Sequence, residues 1–147
     1  MVRRRALLAL GGATLLAGCG KDQKPAPPSA VDVMRGELTA ERALAHDLAG
    51  ASGLQARIAA RSADRARRLA AAISSQGGDP HEAPEPGSEP DPAAAVGRAR
   101  AALEAHVTAL PSLTGDLRSL GADLVSGSAA DLALLGAPPD AFPGTPR

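Results

Sequence analysis

The chain of 147 residues has one cysteine, one phenylalanine, and no tryptophan or tyrosine. A single thiol excludes an internal disulfide and any metal site built on several cysteines. With Phe142 as the lone aromatic and sixteen basic residues set against sixteen acidic ones, nothing marks a nucleic-acid binder. Such a protein needs a basic excess for phosphates and aromatic faces for bases. β-Branched residues are sparse, whereas alanine, leucine and arginine abound, a balance that favours helix over strand. Nucleophile elbows, Cys-His arrangements and phosphate-binding glycine loops are absent too, so the sequence does not read as an enzyme. The greasy run Ala6–Ala17 falls well short of the roughly 20 residues needed to span a bilayer.

What is there begins with the place of that one cysteine. Arg3, Arg4 and Arg5 precede the apolar run, and Cys19 follows it directly. Leu16-Ala17-Gly18-Cys19 resembles the bacterial lipobox. The resemblance implies that residues 1–18 are a signal peptide, that cleavage frees Cys19 as the mature N-terminus, and that its thiol carries a diacylglycerol. Small residues before the cysteine let the peptidase accept an extended backbone. Arg4-Arg5-Ala6-Leu7-Leu8 is also similar to a twin-arginine export motif. Adjacent arginines occur in general secretory signals as well, so the export route stays open. At about 0.8 kcal/mol per buried methylene, two or three acyl chains anchor far more firmly than one. The expected partner is therefore the lipid bilayer, and the expected place is the outer face of the cytoplasmic membrane. Loss of three arginines leaves 13 basic against 16 acidic residues, a net charge of −3. Residues 19–30 then form the lipidated N-terminus and a polar, proline-rich tether.

Residues 31–136 have the periodicity of four helices. The first segment, about Val31 to Ala51, repeats Met34, Leu38, Glu41, Ala45 and Leu48 on one face. The second, about Ser52 to Gln76, carries Leu54, Ile58, Ser62, Arg65, Leu69, Ala72 and Ile73, with Ser52 as N-cap and Gly77-Gly78 as stop. Residues 77–92 hold five prolines and five acids with no lysine or arginine, and are expected to be a flexible, solvated loop or crossover. A third segment starts near Asp91-Pro92 and carries Val96, Ala99, Leu103, His106 or Val107, and Leu110; Pro111 ends it. The fourth, about Thr114 to Leu135, carries Leu113, Leu117, Leu120, Leu124, Ser128, Asp131 and Leu135. Gly121 and Gly127 weaken it by about 1 kcal/mol each unless close packing needs them. Residues 137–147 are expected to be a disordered tail. The fold expected is all-α, an antiparallel four-helix bundle with a long connection between helices 2 and 3.

That layout resembles the ferritin-like four-helix bundles, and more narrowly the ferritin-like domains of exported actinobacterial proteins. In metal-binding members two helices each supply a glutamate, and two supply an acid followed three residues later by histidine. Carried over to this chain, the single glutamates fall on Glu41 and Glu104. The paired positions fall on Arg65 and Arg68, and on Ser128 and Asp131. Guanidinium has no lone pair to give a cation, so half of the ligand set is gone. The resemblance thus implies a bundle that has lost its metal site, with Glu41, Arg65, Arg68, Glu104, Ser128 and Asp131 as a candidate core polar cluster. Glu41 and Arg65, on the stripes of adjacent segments, are expected either to pair in the space of a metal or to reach solvent at the stripe edge.

No cofactor beyond the lipid on Cys19 is expected. The imidazoles are His46, His81 and His106, and His81, Glu82 and Glu85 in the acidic loop read as solvated residues rather than a metal site. Charge is segregated: five arginines and one aspartate lie between Arg57 and Arg68, five acids between Asp79 and Asp91. The loop either stays solvated or folds over the arginines, where an anionic envelope component could displace it. The role expected is non-catalytic, binding or structural, at the cell envelope. The alternatives are a metal-binding, oxidative-stress protein using Glu41, Glu104 and Asp131, or a carrier of a small apolar ligand.

Overall fold

The structure is a computed structural model that describes residues 27–87 and 89–137. The lipobox-like Leu16, Ala17, Gly18 and Cys19, most of the tether, and the tail from residue 138 lie outside the described residues. Four α-helices carry the fold: α1 (Ala30–Asp47), α2 (Gly53–Ser75), α3 (Ala95–Ala109) and α4 (Gly115–Leu134). Among the described residues there is no strand, in keeping with the scarcity of β-branched side chains. No helix there is long and apolar enough to cross a membrane.

Local chemistry sets the helix ends. Ser29 and Asp32 form a reciprocal capping box that starts α1. At the end of α2, Gly77 takes φ +76° and Gly78 N–H donates to the Ile73 carbonyl, which closes the helix in a left-handed cap. Asp91 accepts from Ala93 N–H, as expected of a cap, but it closes a short 3-10 turn over Pro92–Ala94, and α3 begins only at Ala95. Pro111 sits in a second such turn, Leu110–Ser112, between α3 and α4.

The core has two apolar clusters. The first joins Met34 and Leu38 of α1, Leu69 and Ile73 of α2, Ala109 at the end of α3 with Leu113 just beyond it, and Leu124 of α4. The second joins Leu44 and Leu48, Ile58, Ala95, Ala99 and Leu103, and Leu132. Each helix contributes to both. Along the chain α1 and α4 pass from the first cluster to the second, whereas α2 and α3 pass from the second to the first. α1 lies against both α2 and α3, and α4 lies mainly against α3.

Gly121 shows why α4 tolerates a glycine. A Cβ there would stand 2.8 Å from Leu113 Cδ1 and 2.9 Å from Leu110 Cδ2. The helix therefore approaches the Leu110–Ser112 turn closely only because this side chain is missing.

Most of the acidic connection is exposed, yet it is tied down at several points. It forms a 3-10 turn at Pro80–Glu82 and buries Ala83 in the first cluster. It is held by α1, not by the arginines of α2. Arg35 Nε donates to the Asp79 carbonyl at 3.3 Å and its Nη2 pairs with Glu82. Arg42 Nη1 donates to the Ala83 carbonyl at 3.2 Å and pairs with Glu85 at 2.7 Å. Arg35 and Arg42 are two helical turns apart, so they share a flank of α1 and engage the loop together. On α2, Arg61, Arg65, Arg67 and Arg68 have acidic partners on α1, α2 or α4 instead.

Candidate functional site

Between the two apolar clusters all four helices send polar side chains inward. α1 supplies Glu37 and Glu41, one turn apart and hence on one face. α2 supplies Ser62 and Arg65, α3 supplies His106, and α4 supplies Ser128 and Asp131. All seven are buried. Burying such groups is costly unless each finds partners, so the layer is best understood through its hydrogen bonds.

Glu41 is the hub. Its Oε1 accepts from Arg65 Nε at 2.7 Å, from His106 Nε2 at 2.8 Å and from Ser128 Oγ at 3.1 Å. The Ser62 hydroxyl lies against Oε2 and also 2.9 Å from the Glu41 carbonyl. Arg65 reaches onward: its Nη2 donates to Asp131 Oδ2 at 2.8 Å. The other oxygen of Asp131 accepts from Arg61, with Nε at 2.9 Å. Arg61 is half-exposed and so closes the layer toward solvent. On the far side His106 Nδ1 lies 2.8 Å from Glu37 Oε1.

These contacts favour one charge state. Both nitrogens of His106 face carboxyl oxygens, an arrangement that favours the imidazolium, in which each nitrogen donates an N–H to an ionised acid. Burial alone would lower its pKa; the bonds to Glu37 and Glu41 outweigh that and raise it above the ordinary 6.5. Burial would likewise raise the Glu41 carboxyl, but the bonds from His106 and Arg65 bring it below its usual 4.5. Arg65 is pushed upward by Glu41 and Asp131 against its own desolvation. The layer then balances: Glu37, Glu41 and Asp131 face Arg61, Arg65 and His106.

Of the expected cluster, Glu41, Arg65, Ser128 and Asp131 meet in this layer, with Glu41 and Arg65 paired rather than reaching solvent. Arg68 and Glu104 do not join them. Arg68 precedes the fully buried Leu69, which turns it about 100° from the core stripe, and it pairs on the surface with Asp123 at 3.1 Å. Glu104 follows the buried Leu103 in the same way; it is 56% exposed and pairs with Arg100 at 3.5 Å. His106 occupies the inward place on α3 that the resemblance implied for Glu104. Glu37 is a further acid of the layer, and its sequence signal is the spacing of one turn before Glu41. Of the other histidines, His46 lies beside the buried Asp47, whose main partner is Arg98 at 2.7 Å. Glu82 and Glu85 near His81 are taken by Arg35 and Arg42.

The layer does not fit a di-metal centre. A guanidinium bridges two of the acids that a metal would use, and both imidazole nitrogens are already bonded. Among the described residues, no group of three or more histidine, cysteine, aspartate or glutamate side chains is placed to hold a metal ion.

Comparison with known proteins adds no relative: no family model, no curated protein and no solved structure matches the chain.

Proposed function

We propose that the chain is an exported lipoprotein, held at the outer face of the cytoplasmic membrane by an acylated Cys19. On this reading its domain is a ferritin-like bundle running up, down, down, up, whose role at the envelope is binding or structural and not catalytic. The opposed order in which α1 and α2, and then α3 and α4, visit the two apolar clusters supports the helix directions. The docked connection over residues 77–92 would then be the crossover between α2 and α3, two parallel helices that lie diagonally across the bundle.

The observation that carries the non-catalytic reading is the place of Arg65. It fills the centre of the layer and joins Glu41 to Asp131, so the acids of a ferritin-like site are spent on ion pairs. A partner with negative charge would meet the outer face of α2, where Arg57, Arg61, Arg67 and Arg68 are exposed and the acidic connection makes its ion pairs with α1 instead. Fractionation of producing cells, together with metal analysis of the purified chain, tests the proposal. The protein is expected in the membrane fraction, released by Cys19→Ser, and free of stoichiometric transition metal. A soluble wild-type chain refutes the anchor; one bound metal per chain refutes the non-catalytic bundle.

A further inference from the structure

One buried atom of the layer is left over. Glu37 is 0% exposed, its Oε1 bonds His106, and its Oε2 has no hydrogen-bond partner among the described residues. A buried carboxylate oxygen without a donor is rare because its lost hydration is not replaced. Glu37 also lines an open groove of about 390 Å³ between α1 and α3. Asp32 and Glu104 line the same groove, and no lysine or arginine does. Those two acids have neighbours of their own, Arg35 at 3.3 Å and Arg100 at 3.5 Å. Glu37 is the acid with an oxygen to spare.

We propose that this groove binds a small organic cation: a primary ammonium on a short aliphatic body, recognised by Glu37. The chemistry narrows the ligand in three ways. One spare oxygen suits a compact ammonium, whereas a planar guanidinium wants two acceptors side by side. A calcium ion takes six or more oxygens, which the groove does not converge. The remaining walls are Val33, Ala101, Ala105 and Ala109, methyl-bearing surfaces that suit an alkyl chain, with Thr108 adding a single hydroxyl. Gly36 leaves room beside them, since nothing lies within 4 Å of the place its Cβ would take. Oε2 is covered in the free fold, so the ammonium reaches it as the Glu37 side chain turns into the groove; it then donates to Oε2 while His106 keeps Oε1, and both oxygens of the acid become satisfied. This assigns a ligand class to the binding role proposed above, yet it rests on the groove alone and survives if the membrane anchor fails.

The test is a titration of the isotope-labelled full chain, in detergent micelles, with n-butylammonium chloride, read from backbone amide shifts. Saturable shifts are expected at Gly36, Ala101 and Ala105. Tetramethylammonium, which has no N–H, should bind at least about tenfold more weakly, the scale of one charge-assisted hydrogen bond. Glu37→Gln should weaken n-butylammonium by a similar factor. Gly36→Leu should abolish the response by filling the groove while helix content is retained, and it decides the matter if Glu37→Gln does not fold. No saturable shift in the wild type, an equal response to tetramethylammonium, or wild-type binding by Gly36→Leu overturns the proposal.

Discussion

Replacing Arg65 with methionine removes the guanidinium that joins Glu41 to Asp131 and keeps most of the side chain's bulk. Breaking a buried ion pair from one side costs about 3–5 kcal/mol, because the partner charge is stranded. Here neither acid is stranded fully: Glu41 keeps His106 at 2.8 Å, and Asp131 keeps Arg61 at 2.9 Å. The low end applies, about 3 kcal/mol for Arg65→Met. Glu41→Gln should cost about the same, since Arg65 keeps Asp131 and His106 keeps Glu37. Each single change leaves the layer one charge out of balance. The double variant restores balance, with two acids facing two cations. It should therefore lose about 4 kcal/mol rather than the additive 6, a coupling of roughly 2 kcal/mol. Urea unfolding followed by helical circular dichroism measures all three, provided the slopes stay equal. A double variant that equals the sum of the singles refutes the coupled layer. So does an Arg65→Met cost below about 1 kcal/mol, the range of a surface pair.

The pH dependence of stability should be a dome. The lowered carboxyl of Glu41 contributes stability above its ordinary 4.5 and loses it as pH falls through the folded value, whereas the raised His106 contributes fully below 6.5 and loses it as pH rises through its folded value. Each limb should approach a slope of about 1.4 kcal/mol per pH unit for one proton, and His106→Gln should flatten the alkaline limb; denaturant midpoints that do not move on that side exclude a buried imidazolium. Gly121→Ala should destabilise by about 1 kcal/mol, because overpacking against Leu113 and Leu110 outweighs the gain in helix propensity. Gly36→Ala, in open space, should instead stabilise by up to about 1 kcal/mol, and thermal melts of the two variants moving in the same direction would refute that contrast.

The sequence was most legible where apolar and polar residues contrast. Ile58, Ser62, Arg65, Leu69 and Ile73 recur at three- and four-residue steps, and all are buried on α2. α3 was harder to read. Ala95, Ala99, Ala102 and Ala109 are buried, but Ala101 and Val96 on the same helix are exposed. Alanine on every side leaves little to distinguish one face from another. The inward polar residue was therefore placed at Glu104 by analogy, two positions from His106, which packing selected. The docking of the acidic connection was hidden for a different reason. Its five acids suggested the densest cluster of arginines, but pairing depends on what neighbouring helices already offer. Arg61, Arg65, Arg67 and Arg68 of α2 have acids close at hand, and it is Arg35 and Arg42 that pair with the loop.

The ionic layer also bears on the route by which this chain folds. Glu37 and Glu41 come from the first helix, and Asp131 from the last, some ninety residues later. When α1 and α2 dock early, Arg65 meets Glu41 but lacks Asp131, and Glu41 lacks His106. Such a half-assembled pair would hold unmatched charge between two greasy patches. A helix slipped by one turn would set a charge against leucine. The central layer thus penalises partial and misaligned assemblies more than it strengthens the finished one. A domain with an alanine-rich core and no disulfide would gain from that a sharp, all-or-none transition, in which four helical segments commit together.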